Sequence, residues 1–273
     1  AANSDSCELV SLLLDGGADV HARNNSGQTA LMSSVINDRL ETARILLQKG
    51  ANVNDVNSLG NSALQMACSA NLIDMAKLLI EKGANVNLQP PGRVSLLHTS
   101  VSKEYLDMAK VLLENKADIN SVDSYGNTAL MLAVVSKNPD AVKMLLKFNA
   151  DPDMAKPEGT SPLILSVSHK TPVITRLLLD AGANVNMSRS NGETPLMLAA
   201  SLNDIETLRW LLEKNPDLNA RNEHGLSALT FAARLDNREM MKLLIDKGAD
   251  TTLILINSRK KPGGHHALSA SGS

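Results

Sequence analysis

The feature that most constrains the fold is a repeat of constant length. A Ser or Thr followed by a short apolar run recurs seven times, each copy 33 residues after the last, without insertion or deletion. A second phrase, such as "LLQKGANVN" from Leu46, follows in the same register. Periods of this length indicate stacked supersecondary units that bury their apolar faces against one another. The marker residues are Thr29, Ser62, Ser95, Thr128, Ser161, Thr194 and Ser227.

Each unit has the signals of two short helices joined by a turn. The marker Ser or Thr is a favourable N-cap, and a proline often follows it at the first helical position. The second helix is predicted to begin near Asn138-Pro139 or Thr171-Pro172, with apolar residues at three- and four-residue spacing. It ends at a glycine such as Gly50, where a left-handed residue is favoured. Lys116 occupies that position in the third full unit, at an expected cost of roughly 1–2 kcal/mol.

These phrases resemble the ankyrin repeat over residues 1 to about 254. The resemblance implies an all-α solenoid of helix-turn-helix units with hairpin-like loops and a concave binding face. It implies a partial repeat at 1–23, and we expect further repeats upstream. A Gly-, Ser- and Pro-containing tail at 255–273 is predicted to be disordered. The full repeats are assigned to 24–56, 57–89, 90–122, 123–155, 156–188, 189–221 and 222–254.

The third full unit departs from the pattern. It reads "PPGRVSLLH", with Gly92 one place early and Arg93 where the other units have glycine. The histidine that usually follows the helix start in the family is present only as His98. The displaced turn glycine, together with Lys116 at the left-handed position, predicts that residues 90–122 form a weak repeat.

Composition excludes several classes of function. The net charge is -2, from 27 basic and 29 acidic residues, which gives no general attraction to nucleic acid or to an anionic membrane. No apolar run approaches the roughly 20 residues that span a bilayer, so no membrane insertion is expected. The two cysteines, Cys7 and Cys68, are predicted to be buried thiols in a reducing compartment, the cytoplasm or also the nucleus. The basic run at Ser258 is interpreted as a solvated linker rather than an import signal.

No motif for catalysis is found. The glycines mark turns rather than a phosphate loop, and the histidines occupy different repeat positions. The sequence therefore predicts no enzyme activity, no cofactor and no metal site. Trp210 is interpreted as a core residue. The five aromatic residues are scattered over different repeat positions, which argues against a methyl-lysine cage.

The resemblance implies that partners contact the turn tips and the exposed ends of the first helices. Apolar residues there, including Leu226 and Leu235, are expected to be exposed, although they could instead pack on neighbouring turns. The predicted function is a non-catalytic interaction module of an intracellular adaptor or scaffold, monomeric as a fragment, that binds a protein or peptide. The alternative is a regulatory or targeting region of an enzyme, channel or bacterial effector whose active domain lies elsewhere. The candidate partner-binding residues are Leu59, Val94, Lys103, Tyr125, Val135, His169 and Leu202.

The resemblance also implies a site of modification. An asparaginyl hydroxylase can act on the asparagine that ends the "DVN"-like loops. Asn120 and Asn219 are the best candidates because an acidic residue lies two places before each. Asn54, Asn87 and Asn186 match less well because asparagine is found at that place.

Overall fold

The computed structural model describes residues 2–88 and 94–252, with side chains described from Cys7 onward. These residues form fifteen α-helices and no β-strand, apart from three isolated bridges such as Arg23 to Thr29. Two predictions lie outside the described residues. They are the displaced turn at Pro91 and Gly92, and the disordered tail at 255–273.

The helices alternate between a seven-residue helix and one of eight or nine residues, after an initial helix α1 (Ala2–Asp15). The first helices begin at intervals of 33 residues. They are α2 (Ala30–Ile36), α4 (Ala63–Ser69), α6 (Leu96–Ser102), α8 (Ala129–Val135), α10 (Pro162–Ser168), α12 (Pro195–Ser201) and α14 (Ala228–Arg234). The second helices are α3 (Leu40–Gln48), α5 (Ile73–Glu81), α7 (Leu106–Glu114), α9 (Pro139–Lys147), α11 (Pro172–Asp180), α13 (Ile205–Leu212) and α15 (Arg238–Asp246).

The chain divides into two compact units, an N-terminal unit (Ala1–Pro157) and a C-terminal unit (Glu158–Ser273). In the N-terminal unit, α2, α4, α6 and α8 pack in series, and α3, α5 and α7 form a second layer. In the C-terminal unit, α10, α12 and α14 pack in series, with α11 against α13. Each unit is therefore a two-layered stack of helix pairs, as the repeat pattern predicts.

Two columns of leucine form the core. Every first helix and every second helix contributes at least one leucine that is at most 2% exposed, at the same repeat position. Burial of one such side chain is worth about 1.5–3 kcal/mol. The first column is Leu31, Leu64, Leu97, Leu130, Leu163, Leu196 and Leu229. The second is Leu46, Leu79, Leu112, Leu145, Leu178, Leu211 and Leu244.

The predicted N-caps are confirmed for all seven first helices. Each marker hydroxyl accepts a hydrogen bond from the backbone N–H three residues later, as Thr128 does from Met131. Asn138 caps α9 in the same way through Ala141 N. Helix α11 begins at Pro172 as predicted, with Thr171 at the N-cap position. The Thr171 hydroxyl makes no capping bond, however, because it donates to the Ser166 carbonyl at 3.0 Å.

His98 joins one repeat to the next. Its buried ring places Nε2 2.8 Å from the Asn127 carbonyl oxygen and Nδ1 2.6 Å from Ser95 Oγ. Because the carbonyl can only accept, Nε2 carries the proton and Nδ1 accepts from the Ser95 hydroxyl. Buried methionines Met32 and Met131 occupy the equivalent place in other repeats of this unit.

Left-handed residues end both helices of a pair. The predicted left-handed position after the second helix is confirmed for Gly50, at φ 91°, and for Lys116, at φ 65°. The sequence analysis missed a second such position, which follows each first helix and has φ between 50° and 60°. None of the residues at this second position is glycine, so the left-handed conformation costs free energy at each of them. These residues are Asp38, Asn71, Glu104, Lys137, Lys170, Asn203 and Asp236.

Candidate functional site

The turn tips of the N-terminal unit are fixed by side chains within each turn. Asn24, Asn57 and Asp123 each accept hydrogen bonds from the backbone N–H groups two and four residues later, at 2.8–3.0 Å. Such Asx turns hold the residues between these N–H groups in one conformation. The tips are therefore ordered before any partner arrives, which lowers the entropic cost of binding there.

The same hydrogen bonds shift the acidity of Asp123. Burial alone would raise the pKa of its carboxyl group. The Asn127 side-chain amide and the backbone N–H groups of Asn127 and Tyr125 outweigh burial and lower the pKa below its ordinary value of 3.8. Asp123 is therefore a charged structural group at neutral pH.

Neighbouring tips are also bonded to each other. Ser58 N–H donates to the Ser26 carbonyl at 3.1 Å. Gly27, at φ 70°, lies against this contact, and a Cβ there would be 2.9 Å from Ser58 N. Only glycine fits such a position without displacing the backbone of the next turn.

Three apolar residues project from these tips into solvent. Tyr125 is 78% exposed and Leu59 is 67% exposed, while Val94 is less exposed but not buried. The sequence left open whether these residues are exposed or packed on neighbouring turns. The structure shows that all three are exposed, since none is buried against a neighbouring turn. Leu59 and Tyr125 lie three residues before the N-caps of α4 and α8, whereas Val94 lies directly before the N-cap of α6. We call these exposed turn residues the tip row.

A second row lies at the other ends of the first helices. Ile36 and Val135 end α2 and α8 and are about half exposed, and Lys103 follows α6. Seven helical residues are about 10 Å long, which separates this row from the tip row. Lys103 Nζ donates to the Ser69 carbonyl at 2.7 Å, at the C-terminal end of α4, where a cation is favoured. It also lies 5.7 Å from the ring of Tyr105.

Charge in the N-terminal unit is confined to one layer of helices. Helices α2, α4, α6 and α8 contain no Asp, Glu, Lys or Arg. Each of α3, α5, α7 and α9 contains at least one acidic and one basic residue. Among the described turn residues 24–28, 57–61, 94–95 and 123–127, the one charged side chain is Asp123. Within the described residues, these first helices and the turns just before them therefore carry few charged side chains, while Arg93 of the third turn lies outside the described residues.

The C-terminal unit carries charge at its tips. Arg189 replaces the turn-closing Asn or Asp and forms an ion pair with Glu193 at 3.2 Å. It also donates to Ser168 Oγ at 2.9 Å. Glu223 lies 3.6 Å from His224 at the next tip. The two units therefore present chemically different turns.

The predicted binding residues of the C-terminal unit are less accessible than expected. Leu226 is 8% exposed, so the prediction that it is exposed is wrong. It lies inside the turn that the Asn222 side chain closes, and its own N–H donates to Asn222. Leu202 and His169 are partly buried at the C-caps of α12 and α10. Leu235 is about half exposed, as predicted.

His169 has an unusual environment. Its Nδ1 atom is buried and has no hydrogen-bond partner. A buried polar atom without a partner costs free energy. Sequence reasoning could not identify this atom, because the burial depends on side-chain packing.

Of three further side chains, one agrees with its predicted role and two differ from it. Cys68 is fully buried as predicted, and burial raises its pKa to about 12, so the thiol stays protonated and unreactive. Cys7 is only partly buried, with Sγ 3.5 Å from Thr42 Oγ1. Trp210 is only partly buried, and the guanidinium of Arg176 lies 6.0 Å from its ring. The prediction that Trp210 is a core residue is therefore wrong.

The loop asparagines have a structural role. Asn120 Oδ1 accepts a hydrogen bond from Asp151 N at 3.0 Å, and Asn219 Oδ1 accepts one from Asp250 N at 2.8 Å. Each bond joins one loop to the loop of the next repeat. Asn54, Asn87 and Asn186 do the same. Hydroxylation of Asn120 and Asn219 stays a prediction, which intact mass after incubation with an asparaginyl hydroxylase would test as a gain of one oxygen atom per site.

Two properties of the described residues bear on other classes of function. Among residues 2–88 and 94–252, no group of three or more His, Cys, Asp or Glu side chains is placed to hold a metal ion. In the same part of the chain, no helix combines the length and apolar character needed to cross a membrane.

Regular pairs of short helices, capped turns and leucine columns define an all-α protein of stacked helix-turn-helix repeats. A family model described as "Ankyrin repeats (3 copies)" matches residues 1–90, 92–156 and 163–254. The chain therefore belongs to the ankyrin repeat family, whose repeats generally serve as protein–protein interaction modules. No curated protein matches this chain.

Proposed function

We propose that the N-terminal unit binds a segment of a partner protein on the face formed by its first helices and the turns before them. The observation that carries this proposal is the combination of exposed apolar residues with first helices that contain no charged side chain. Scattered apolar residues on a surface need no explanation, but apolar groups that recur on one face favour a docking site. Leu59, Tyr125 and Val135 are the anchors of this surface, with Val94 and Lys103 beside them.

A few residues are expected to account for most of the binding free energy. Aromatic residues at the centre of an interface commonly account for about 2 kcal/mol or more each. Tyr125 is the one aromatic residue at a described turn tip. Its turn is held by Asp123, so little conformational freedom is lost when a partner covers the ring.

The biological role that follows is non-catalytic. The chain acts as the binding part of an adaptor or scaffold, as a monomer, in the cytoplasm with the nucleus as a second location. Two free cysteines, one of them fully buried, are compatible with a reducing compartment. His169 and Leu202 of the C-terminal unit are secondary candidates for partner contact, since both are partly accessible.

Selection from a random peptide library on the whole chain tests this function. Binding of the selected peptides should weaken about tenfold or more with Tyr125→Ala or with Leu59→Ala. Val173→Ala is the matched control, because Val173 is 62% exposed but lies on α11 of the C-terminal unit. Peptides that bind equally to all three variants would place the binding site elsewhere.

A further inference from the structure

We propose that Asn191, at a turn tip of the C-terminal unit, is a site of spontaneous chemical modification. Its side-chain amide is converted to aspartate or isoaspartate when the turn around it opens. The sequence context is unique in the chain, because Asn191 is the one asparagine that glycine follows. Glycine at the next position leaves the backbone nitrogen unhindered, since it has no side chain. The inference does not depend on the identity of the partner.

The reaction consumes only water. The backbone nitrogen of Gly192 loses its proton and attacks the side-chain carbonyl carbon Cγ of Asn191. A carbon–nitrogen bond forms, and the amide nitrogen of Asn191 takes up a proton and leaves as ammonia. The product is a cyclic imide. Water then adds to one of the two imide carbonyls and breaks its bond to nitrogen, which gives either aspartate or isoaspartate and one new negative charge.

The folded turn holds both reacting groups in hydrogen bonds. Gly192 N–H donates to the Arg189 carbonyl at 2.8 Å. Asn191 Oδ1 accepts a hydrogen bond from Glu193 N–H at 3.1 Å. The nitrogen must give up the first bond before it attacks, and the side chain must give up the second before Cγ can turn towards the nitrogen. The reaction therefore requires local opening of the turn, which costs less free energy than unfolding of the whole chain.

Further contacts keep this turn closed and fix its glycine. Arg189 N–H donates to the Glu193 carbonyl at 3.0 Å, and the Arg189 guanidinium forms an ion pair with the Glu193 carboxylate at 3.2 Å. Gly192 has φ 78°, and a Cβ there would be 2.9 Å from the Arg221 carbonyl oxygen. The fold therefore requires glycine at this position. The residue that allows the turn is also the residue that makes Asn191 reactive.

Modification changes the contact between this tip and the next. The Asn191 carbonyl accepts a hydrogen bond from Glu223 N–H at 2.8 Å. Isoaspartate passes the backbone through the former side chain and leaves that carbonyl as a free carboxylate outside the main chain. The new charge lies near the carboxylates of Glu193 and Glu223, and like charges repel. The isoaspartate form should therefore have a less stable C-terminal unit than the parent chain.

Peptide mapping by mass spectrometry tests the site. The full chain is incubated in mildly alkaline buffer with and without urea, beside a peptide of residues 187–196 with blocked ends as the unstructured reference. Conversion of Asn191 in the folded chain should be at least about tenfold slower than in the peptide, because two hydrogen bonds must break first. In urea the two rates should be equal. Asn57 is the matched control, since it is a turn asparagine followed by serine, and in urea it should convert more slowly than Asn191.

Each part of the inference has an outcome that would overturn it. Equal rates in the folded chain and the peptide would show that the turn gives no protection. Absence of conversion in urea, or faster conversion at Asn57, would overturn the assignment of the site. Asn191→Gln should abolish the reaction, because glutamine would have to close a larger ring. The isoaspartate form, separated by chromatography, should unfold at a lower urea concentration than the parent, and an identical unfolding curve would overturn the effect on the C-terminal unit.

Discussion

The N-terminal and C-terminal units have the same buried leucine columns but different turn tips. Among turn residues 24–28, 57–61 and 123–127 of the N-terminal unit, Leu59 and Tyr125 are exposed and Asp123 is the one charged side chain. The tips of the C-terminal unit carry Glu158, the Arg189–Glu193 pair and Glu223. Core packing requires the same residue types in every repeat, since each repeat must pack against the repeats on both sides of it. Exposed tips have no such requirement, so function is expected where the units differ and stability where they agree.

The largest expected effect concerns the shared core. Leu112→Ala in the N-terminal unit and Leu211→Ala in the C-terminal unit each remove a fully buried leucine at the same repeat position. Each should lower the free energy of unfolding by about 2–5 kcal/mol. Urea unfolding followed by circular dichroism measures both. A large effect in one unit and less than about 1 kcal/mol in the other would break the claim that the cores are equivalent.

The next largest effect concerns His98. Only the N-terminal unit has a histidine at this repeat position. His98→Met installs the residue found at the equivalent Met32 and Met131, but it removes the bonds to Asn127 O and Ser95 Oγ. The cost should be about 1–3 kcal/mol, because the buried side chain loses two hydrogen bonds, although the Asn127 carbonyl still accepts one from Asp123 N–H. Met131→Leu is the control, with an expected cost below about 1.5 kcal/mol. A His98→Met protein as stable as the parent would show that these bonds contribute nothing net.

A smaller effect concerns backbone strain in the third repeat. Lys116→Gly should raise the free energy of unfolding by about 1 kcal/mol, since Lys116 is left-handed and glycine has no steric cost there. Lys110→Gly, in the middle of α7, should lower it by about 1 kcal/mol. Denaturant melts of the two variants should therefore shift in opposite directions. A shift to lower denaturant for both would mean that the Lys116 side chain contributes more than its strain costs.

The smallest effect concerns pH. Because the folded-state pKa of Asp123 is lowered, its contribution to stability is fully present above the unfolded pKa near 4 and is lost as the pH falls through the lower folded pKa. Asp123→Asn should keep the turn, since Asn57 and Asn222 close equivalent turns. The variant should lose less stability than the parent between about pH 4 and pH 2. Identical acid melts of the two proteins would show that this carboxylate does not couple to folding.

The periodic part of the structure was predictable from the sequence because each signal recurs seven times in register. The N-caps, the left-handed Gly50 and Lys116 and the leucine columns all follow from local rules. The left-handed residues after the first helices were missed, because Asp38 or Glu104 gives no sign of that conformation. The separation of charge between the two helix layers was visible in the sequence once helices were assigned.

Side-chain packing accounts for the remaining differences. Leu226 and Leu59 both lie in turn tips, yet one is buried and the other exposed. They occupy different places in the turn, and only the fold shows which place faces inward. Trp210 likewise follows the helical spacing of core residues but lies partly in solvent against Arg176. Such outcomes depend on neighbours that are distant in the sequence.

The asparagine bonds between loops have a consequence for how such a gene can change in length. Each bond joins residues 31 positions apart, as from Asn54 to Asn85 and from Asn186 to Asp217. Unequal recombination that deletes or duplicates one 33-residue block rejoins an asparagine to an equivalent backbone N–H. The new protein then has one bond fewer or one bond more, with no group left unpaired at the join. A bonding scheme limited to adjacent blocks therefore makes the number of repeats a property that evolution can adjust in single steps.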